Sequence, residues 1–251
     1  MSIKSTPSFK EKRHFTFFTN VHRVEDAKLT VSFPTQRKTP WVWNPETGER
    51  SKFPFAKHPD QLQLTLAPLQ SLLLVFEPEN AGNPASATPE VALNSRPIKR
   101  QGPWKVTFKP KFGNEFSKEW NQLLNFRDVY EAEIQNFAGK VIYTTTFTGD
   151  PATQFIELAQ VNQGITELYL NDQLLGTRWY GRHRYPVAGK VRAGENALEI
   201  HLTTTLANYA KSLQENAVAQ RWTQGYEPIP IGLEGPVEML FATDAEDMAL
   251  E

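Results

Sequence analysis

The densest run of side chains able to recognise a ligand is Arg178-Trp179-Tyr180-Gly181-Arg182-His183-Arg184-Tyr185, with three Arg, one His and three aromatics in eight residues. Sugars present apolar C–H faces, which stack on aromatic rings, and arrays of hydroxyls, which suit the fixed donor fork of arginine. Gly181 permits a tight bend in the middle. Arg178, Trp179, Tyr180, Arg182, His183 and Tyr185 are therefore the candidate carbohydrate-binding residues. The plainer account of the same run is that Trp179 and Tyr185 plug the end of a β-sandwich while the arginines form surface ion pairs. A second aromatic pair, Trp41 and Trp43, flanks Val42. Strand alternation puts both rings on one face, so both are expected in the core, or else both exposed.

Other chemistries find less support. Hydrolysis of a glycosidic bond normally needs two carboxylates facing each other across it. Among 28 Asp and Glu residues no pair stands out: Glu157, Glu167, Glu195, Glu199, Glu234 and Glu238 fall at strand ends or on alternating strands, where a solvated face explains them. No catalytic residue is assigned. The five histidines, His14, His22, His58, His183 and His201, show no metal-ligand spacing. No dinucleotide or phosphate-binding glycine loop and no Gly-x-Ser-x-Gly elbow is present. Cysteine is absent, which excludes disulfides and thiolate-bound metals. A net charge of −1 gives no argument for nucleic acid or a membrane surface as partner. The first 15 residues lack the apolar segment of a signal peptide, and no apolar run reaches membrane-spanning length. Composition leaves the compartment unassigned.

The elements that must position these residues read as strands. With 251 residues, 39% of them hydrophobic, the chain is long enough for one large or two ordinary domains. His14 to Asn20, Leu29 to Phe33, Trp41 to Trp43, Leu62 to Leu66 and Ser71 to Phe76 are short strands separated by turn residues, with no helical period; they predict a small β-sandwich over residues 1–80. Residues 81–100, with the run PENAGNPASATPE, read as a linker. From residue 101 to 251 a second domain opens with Trp104 to Phe108, whose alternate residues share a face. Val141 to Phe147, Phe155 to Val161, Leu168 to Leu170 and Ala197 to Leu202 continue it, Asn171-Asp172 and Gly194-Glu195-Asn196 marking turns. Phe116 to Phe137 is expected to be loop with a short helix, Leu206 to Gln224 a surface helix, and Gly235 to Phe241 a closing strand. The acidic tail is expected to be frayed.

The strand Tyr143-Thr144-Thr145-Thr146-Phe147, the hairpin Leu168-Tyr169-Leu170-Asn171-Asp172-Gln173-Leu174-Leu175-Gly176, the loop Trp179-Tyr180-Gly181, the turn-strand Gly194 to Ile200 and the closing Gly232-Leu233-Glu234-Gly235-Pro236-Val237 together resemble the galactose-binding-like jelly roll of family 2 glycoside hydrolases. Upstream, Phe18-Thr19-Asn20, Trp43-Asn44-Pro45-Glu46-Thr47-Gly48 and the strand Leu62 to Ser71 leading into Leu74-Val75-Phe76 resemble the region that precedes this jelly roll in family 106, the α-L-rhamnosidases and relatives; Asn44 stands where that family usually has Asp. The resemblance runs from about His14 to Leu240. It implies an all-β chain: a small β-sandwich followed by a galactose-binding-like jelly-roll β-sandwich. In such enzymes the catalytic carboxylates sit in an (α/β)8-type barrel, which this sequence has no βα repeat to build. The resemblance thus implies a non-catalytic C-terminal portion, inactive alone, that binds carbohydrate, such as a rhamnose-containing glycan, or buttresses an upstream or separate catalytic domain. Such folds often carry a structural calcium, left open at loops such as Gly149-Asp150, although no Asp-x-Asp-x-Asp-Gly loop is present; no cofactor is expected. A stand-alone carbohydrate-binding protein and a structural partner-docking module are the alternatives.

Overall fold

The computed structural model describes residues 3–10, 13–22, 25–33, 38–45, 48–53, 61–78 and 93–242. The acidic tail and most of the proline-rich stretch lie outside them. The chain is all-β, with antiparallel sheets and only short helices. It divides into two compact units, Met1–Val91 with Tyr180–Arg182, and Ala92–Trp179 with His183–Glu251.

The first unit pairs a five-stranded sheet with a two-stranded ribbon. The sheet is ordered β1 (Ile3–Lys10), β2 (Arg13–Asn20), β7 (Ser71–Pro78), β4 (Lys38–Trp43), β5 (Arg50–Lys52); the ribbon joins β3 (Ala27–Ser32) to β6 (Gln61–Leu66). Period-two patterning explains the layering. Phe18, Leu74 and Phe76 from the sheet meet Ala27, Leu62, Leu64 and Leu66 from the ribbon, with Phe33 between them. His14 shares this interior, its ring centroid 5.6 Å from Phe76; burial, with Lys38 nearby, lowers its pKa. On the opposite sheet face Arg13 and Arg50 both pair with buried Glu77, at 2.9 and 3.1 Å. Asn20 ends β2 as a buried bracket: its Nδ2 reaches the carbonyls of Glu25, Leu66 and Ala67, and its Oδ1 accepts from the His22 amide. Trp41 and Trp43 do lie on one face, but they are not equally covered. Trp41 is buried beneath the Arg50 guanidinium, whereas Trp43 is half-buried, edge-on to Phe15.

The second unit is a β-sandwich of two antiparallel sheets. The larger is ordered β11 (Phe116–Trp120), β10 (Trp104–Pro110), β12 (Gly139–Gly149), β17 (Gly194–Thr203), β14 (Ile165–Leu170), β15 (Gln173–Arg178), with β9 (Lys99–Arg100) also pairing with β12. The smaller is ordered β16 (Arg184–Pro186), β13 (Phe155–Asn162), β18 (Gly232–Ala242), β8 (Leu93–Pro97). β8 and β9 thus lie within the span read as a linker. The core is where alternate residues of the two sheets meet: Val106, Phe108, Val141, Tyr143, Ile200 and Leu202 from one, Ile156, Leu158, Leu233, Val237 and Met239 from the other. Phe108 is its aromatic hub, stacked on Phe116 at 4.7 Å and edge-on to Phe137 at 5.3 Å.

Phe116 to Phe137 differs from its sequence reading. It opens with strand β11, followed by a 3₁₀ turn (Phe126–Asp128) and α1 (Ala132–Gln135). Phe116 and Trp120 are four apart, a spacing compatible with either a helix turn or one strand face; pairing with β10 selects the strand. The expected surface helix is two, α2 (Ala207–Ser212) and α3 (Ala217–Thr223). Asn216 interrupts them and caps α3, its Oδ1 accepting from the Val218 and Ala219 amides.

Candidate functional site

The Arg178–Tyr185 run leaves β15 and returns through β16. The structure gives its members different roles and groups Tyr180–Arg182 with the first unit, the others with the second. Within the first unit both Asp26 carboxylate oxygens lie 2.9 Å from one terminal nitrogen of Arg182. Within the second, Arg178 lies over the Tyr185 ring at 5.5 Å and donates from Nε to the Arg184 carbonyl. Arg184 pairs with buried Glu157 at 2.5 Å. Trp179 is 62% exposed, whereas Tyr185 and His183 are buried.

His183 and Tyr185 belong to a closed hydrogen-bonded chain. Thr166 Oγ1 lies 2.5 Å from His183 Nδ1 and 2.6 Å from the Tyr185 hydroxyl, which donates to the Thr166 carbonyl at 3.0 Å. One direction satisfies every group: His183 Nδ1–H donates to Thr166, Thr166 to Tyr185, and Tyr185 to the backbone. Burial, reinforced by Arg178, brings the His183 pKa down to about 4. Burial also pushes the Tyr185 hydroxyl up to about 12. Of the six predicted residues, then, His183 and Tyr185 are bonded to Thr166 inside the second unit, and Trp179 has an exposed ring.

A concavity lies elsewhere, on the outward face of the larger sheet, and sequence reasoning missed it. Thr144 and Thr146 of β12, Tyr169 of β14, Ala197 and Glu199 of β17, and Asp172 in the β14–β15 turn line a depression of about 490 Å³. Register places Thr144 beside Glu199 and Glu199 beside Tyr169. Next along the same face, His201 Nε2 donates to Glu199 at 2.5 Å, and the Tyr169 ring lies 4.7 Å from the imidazole. Glu167 lies 3.5 Å from His201 Nδ1 and is paired with Lys140 at 3.1 Å. Among the described residues no group of three or more His, Asp or Glu is placed to hold a metal, and no helix is long and apolar enough to cross a membrane.

Neither a protein-family model nor a curated protein matches the chain. Solved structures do. A rhamnosidase from Novosphingobium sp. PP1Y is similar over 95% of this chain, with a TM-score of 0.67 and 20% identity. The likeness is one of fold: the chain is folded like part of that rhamnosidase. The match covers 24% of that rhamnosidase, so the chain spans only a fraction of its length. A Faecalibacterium prausnitzii β-glucuronidase is similar over 64% of this chain and 33% of its own, with a TM-score of 0.40 and 10% identity.

Proposed function

We propose that this chain is a non-catalytic carbohydrate-binding and scaffold portion, C-terminal in position, of an α-L-rhamnosidase-like glycoside hydrolase. The second unit is its galactose-binding-like jelly roll, and its partners are a rhamnose-containing glycan and a catalytic domain, upstream or separate. The observation that carries this reading is the similarity of 95% of the chain, both units included, to part of a rhamnosidase. The state of the carboxylates supports it: Glu157 is neutralised by Arg184, Glu77 by two arginines, and Glu234 is held by Asn162 and Gln160. Trp179 supplies the ring for stacking on a sugar face. The scaffold role has its own support. Val218 and Trp222, four apart on α3, are both strongly exposed, Trp222 at 74%, as is Tyr226. An outward apolar helix face of this kind suits a protein partner.

The test combines turnover with binding. The purified chain is expected to release no aglycone from aryl α-L-rhamnosides or other aryl glycosides, while binding a rhamnose-containing polysaccharide saturably. Trp179→Ala is expected to weaken that binding about tenfold, roughly 1.4 kcal/mol, with an unchanged melting temperature. Hydrolysis by the chain alone would overturn the non-catalytic assignment, and unchanged affinity in the variant would remove Trp179 from the site.

A further inference from the structure

We infer that the depression on the β12–β17–β14 face is a saccharide subsite for one neutral sugar residue, separate from the Trp179 loop. The inference rests on the carbohydrate-binding reading above and names a place and a ligand class for it. Three observations carry it.

The first is shape. An outward sheet face is ordinarily filled by its own side chains. Here Ala197, opposite Thr146 in register, is the smallest residue on the floor, and Tyr169 and Glu199 rise beside it. The volume falls in the range of small-ligand pockets.

The second is preorganisation. The β14–β15 turn is fastened to β17: the Asn171 amide donates to the Ala197 carbonyl, Asn171 Oδ1 accepts from the Ala197 amide, and Asn171 Nδ2 donates to Asn196 Oδ1. This fixes Asp172 at one end of the depression. Glu199 is held through one oxygen by His201, whose ring lies 4.7 Å from that of Tyr169, leaving the second oxygen to accept from a ligand hydroxyl. Groups ordered before the ligand arrives lose less entropy on binding.

The third is chemistry. Thr144 and Thr146 donate and accept, Asp172 and Glu199 accept, and Tyr169 offers an apolar ring: the complement of a polyol with C–H faces. No basic side chain is among the lining residues. Asp172 and Glu199 lie in the lining itself, whereas Lys105 lies outside it, beside Thr144 in register; the two carboxylates repel an anionic ligand, so uronic, sulfated and phosphorylated sugars are disfavoured relative to hexoses and 6-deoxyhexoses.

Amide chemical shifts of the full chain, titrated separately with L-rhamnose, D-galactose and D-glucuronate, test this. Saturable shifts at Thr144, Tyr169, Ala197 and Glu199 are expected with at least one neutral sugar, and at least tenfold weaker ones with glucuronate. Ala197 is exposed, so Ala197→Phe should fill the depression while retaining the melting temperature, and should abolish those shifts; Trp179→Ala should leave them in place. Neutral-sugar shifts that survive Ala197→Phe, or equal binding of glucuronate, would overturn the subsite. Binding confined to the Trp179 loop would overturn it while sparing the carbohydrate-binding reading, and no response to any saccharide, polysaccharides included, would overturn both.

Discussion

His183 illustrates how one residue type can carry two sequence readings. Beside Trp179 and three arginines it looks like a ligand donor; in the structure it is neutral and buried, and hydrogen-bonded to Thr166. The consequence is measurable. Its folded-state pKa of about 4 lies below the ordinary 6.5, so the unfolded chain takes up the proton first. The stability it contributes is complete above pH 6.5 and is lost as pH falls from there through 4. The full difference corresponds to about 3 kcal/mol. Denaturant unfolding between pH 7 and 4 is expected to show this loss, and His183→Gln to flatten the profile across that window. Parallel profiles for the two proteins would contradict it. Arg182 and Tyr185 were equally legible as polar and aromatic residues, but their engagement was not: the partners, Asp26 and Thr166, lie 156 and 19 residues away in sequence.

At the scale of elements, the strands with clean alternation, β2, β6, β10, β12 and β17, were legible because each buries one face. β11 was not, because its aromatic spacing fits two periods and only pairing with β10 decides. The depression was illegible for a related reason. Its threonines, tyrosine and carboxylates come from three strands and a turn, and each in isolation reads as an ordinary solvated position. The device that shapes it is the Asn171–Asn196 clamp. Both turn residues, Asn171 and Asp172, take positive φ, 50° and 67°, the conformation of a tight hairpin turn. Asn196 is buried and fully bonded: its Oδ1 accepts from the Arg192 amide and Asn171, and its Nδ2 donates to the Arg192 and Gly194 carbonyls. Gly149 makes room for it, since a Cβ there would collide with Asn196 Nδ2, and would fall 2.6 Å from Val191 Cγ1 and 2.7 Å from the Arg192 oxygen. Asn196→Ala leaves several buried groups unpaired and is expected to cost about 3 kcal/mol, read as a lower urea midpoint with unchanged slope. A loss below about 0.5 kcal/mol, the scale of an ordinary surface substitution, would show that the clamp is not structural.

At the scale of the whole molecule, the all-β fold implied by the short motifs agrees with the likeness in fold to part of a rhamnosidase. An all-β architecture was readable because turn residues punctuate the chain at short intervals between alternating runs; which surface recognises a ligand was not, because recognition depends on residues that only folding assembles. Two surfaces now carry the functional account: the exposed Trp179, and a polar depression on a sheet. Both are proposed to bind carbohydrate. The most direct measurement is a glycan array of rhamnose-containing plant and bacterial polysaccharides probed with the purified chain. The account predicts saturable binding to neutral, rhamnose-containing glycans, competed by the same free glycan; the absence of binding across the array would contradict carbohydrate recognition by this chain.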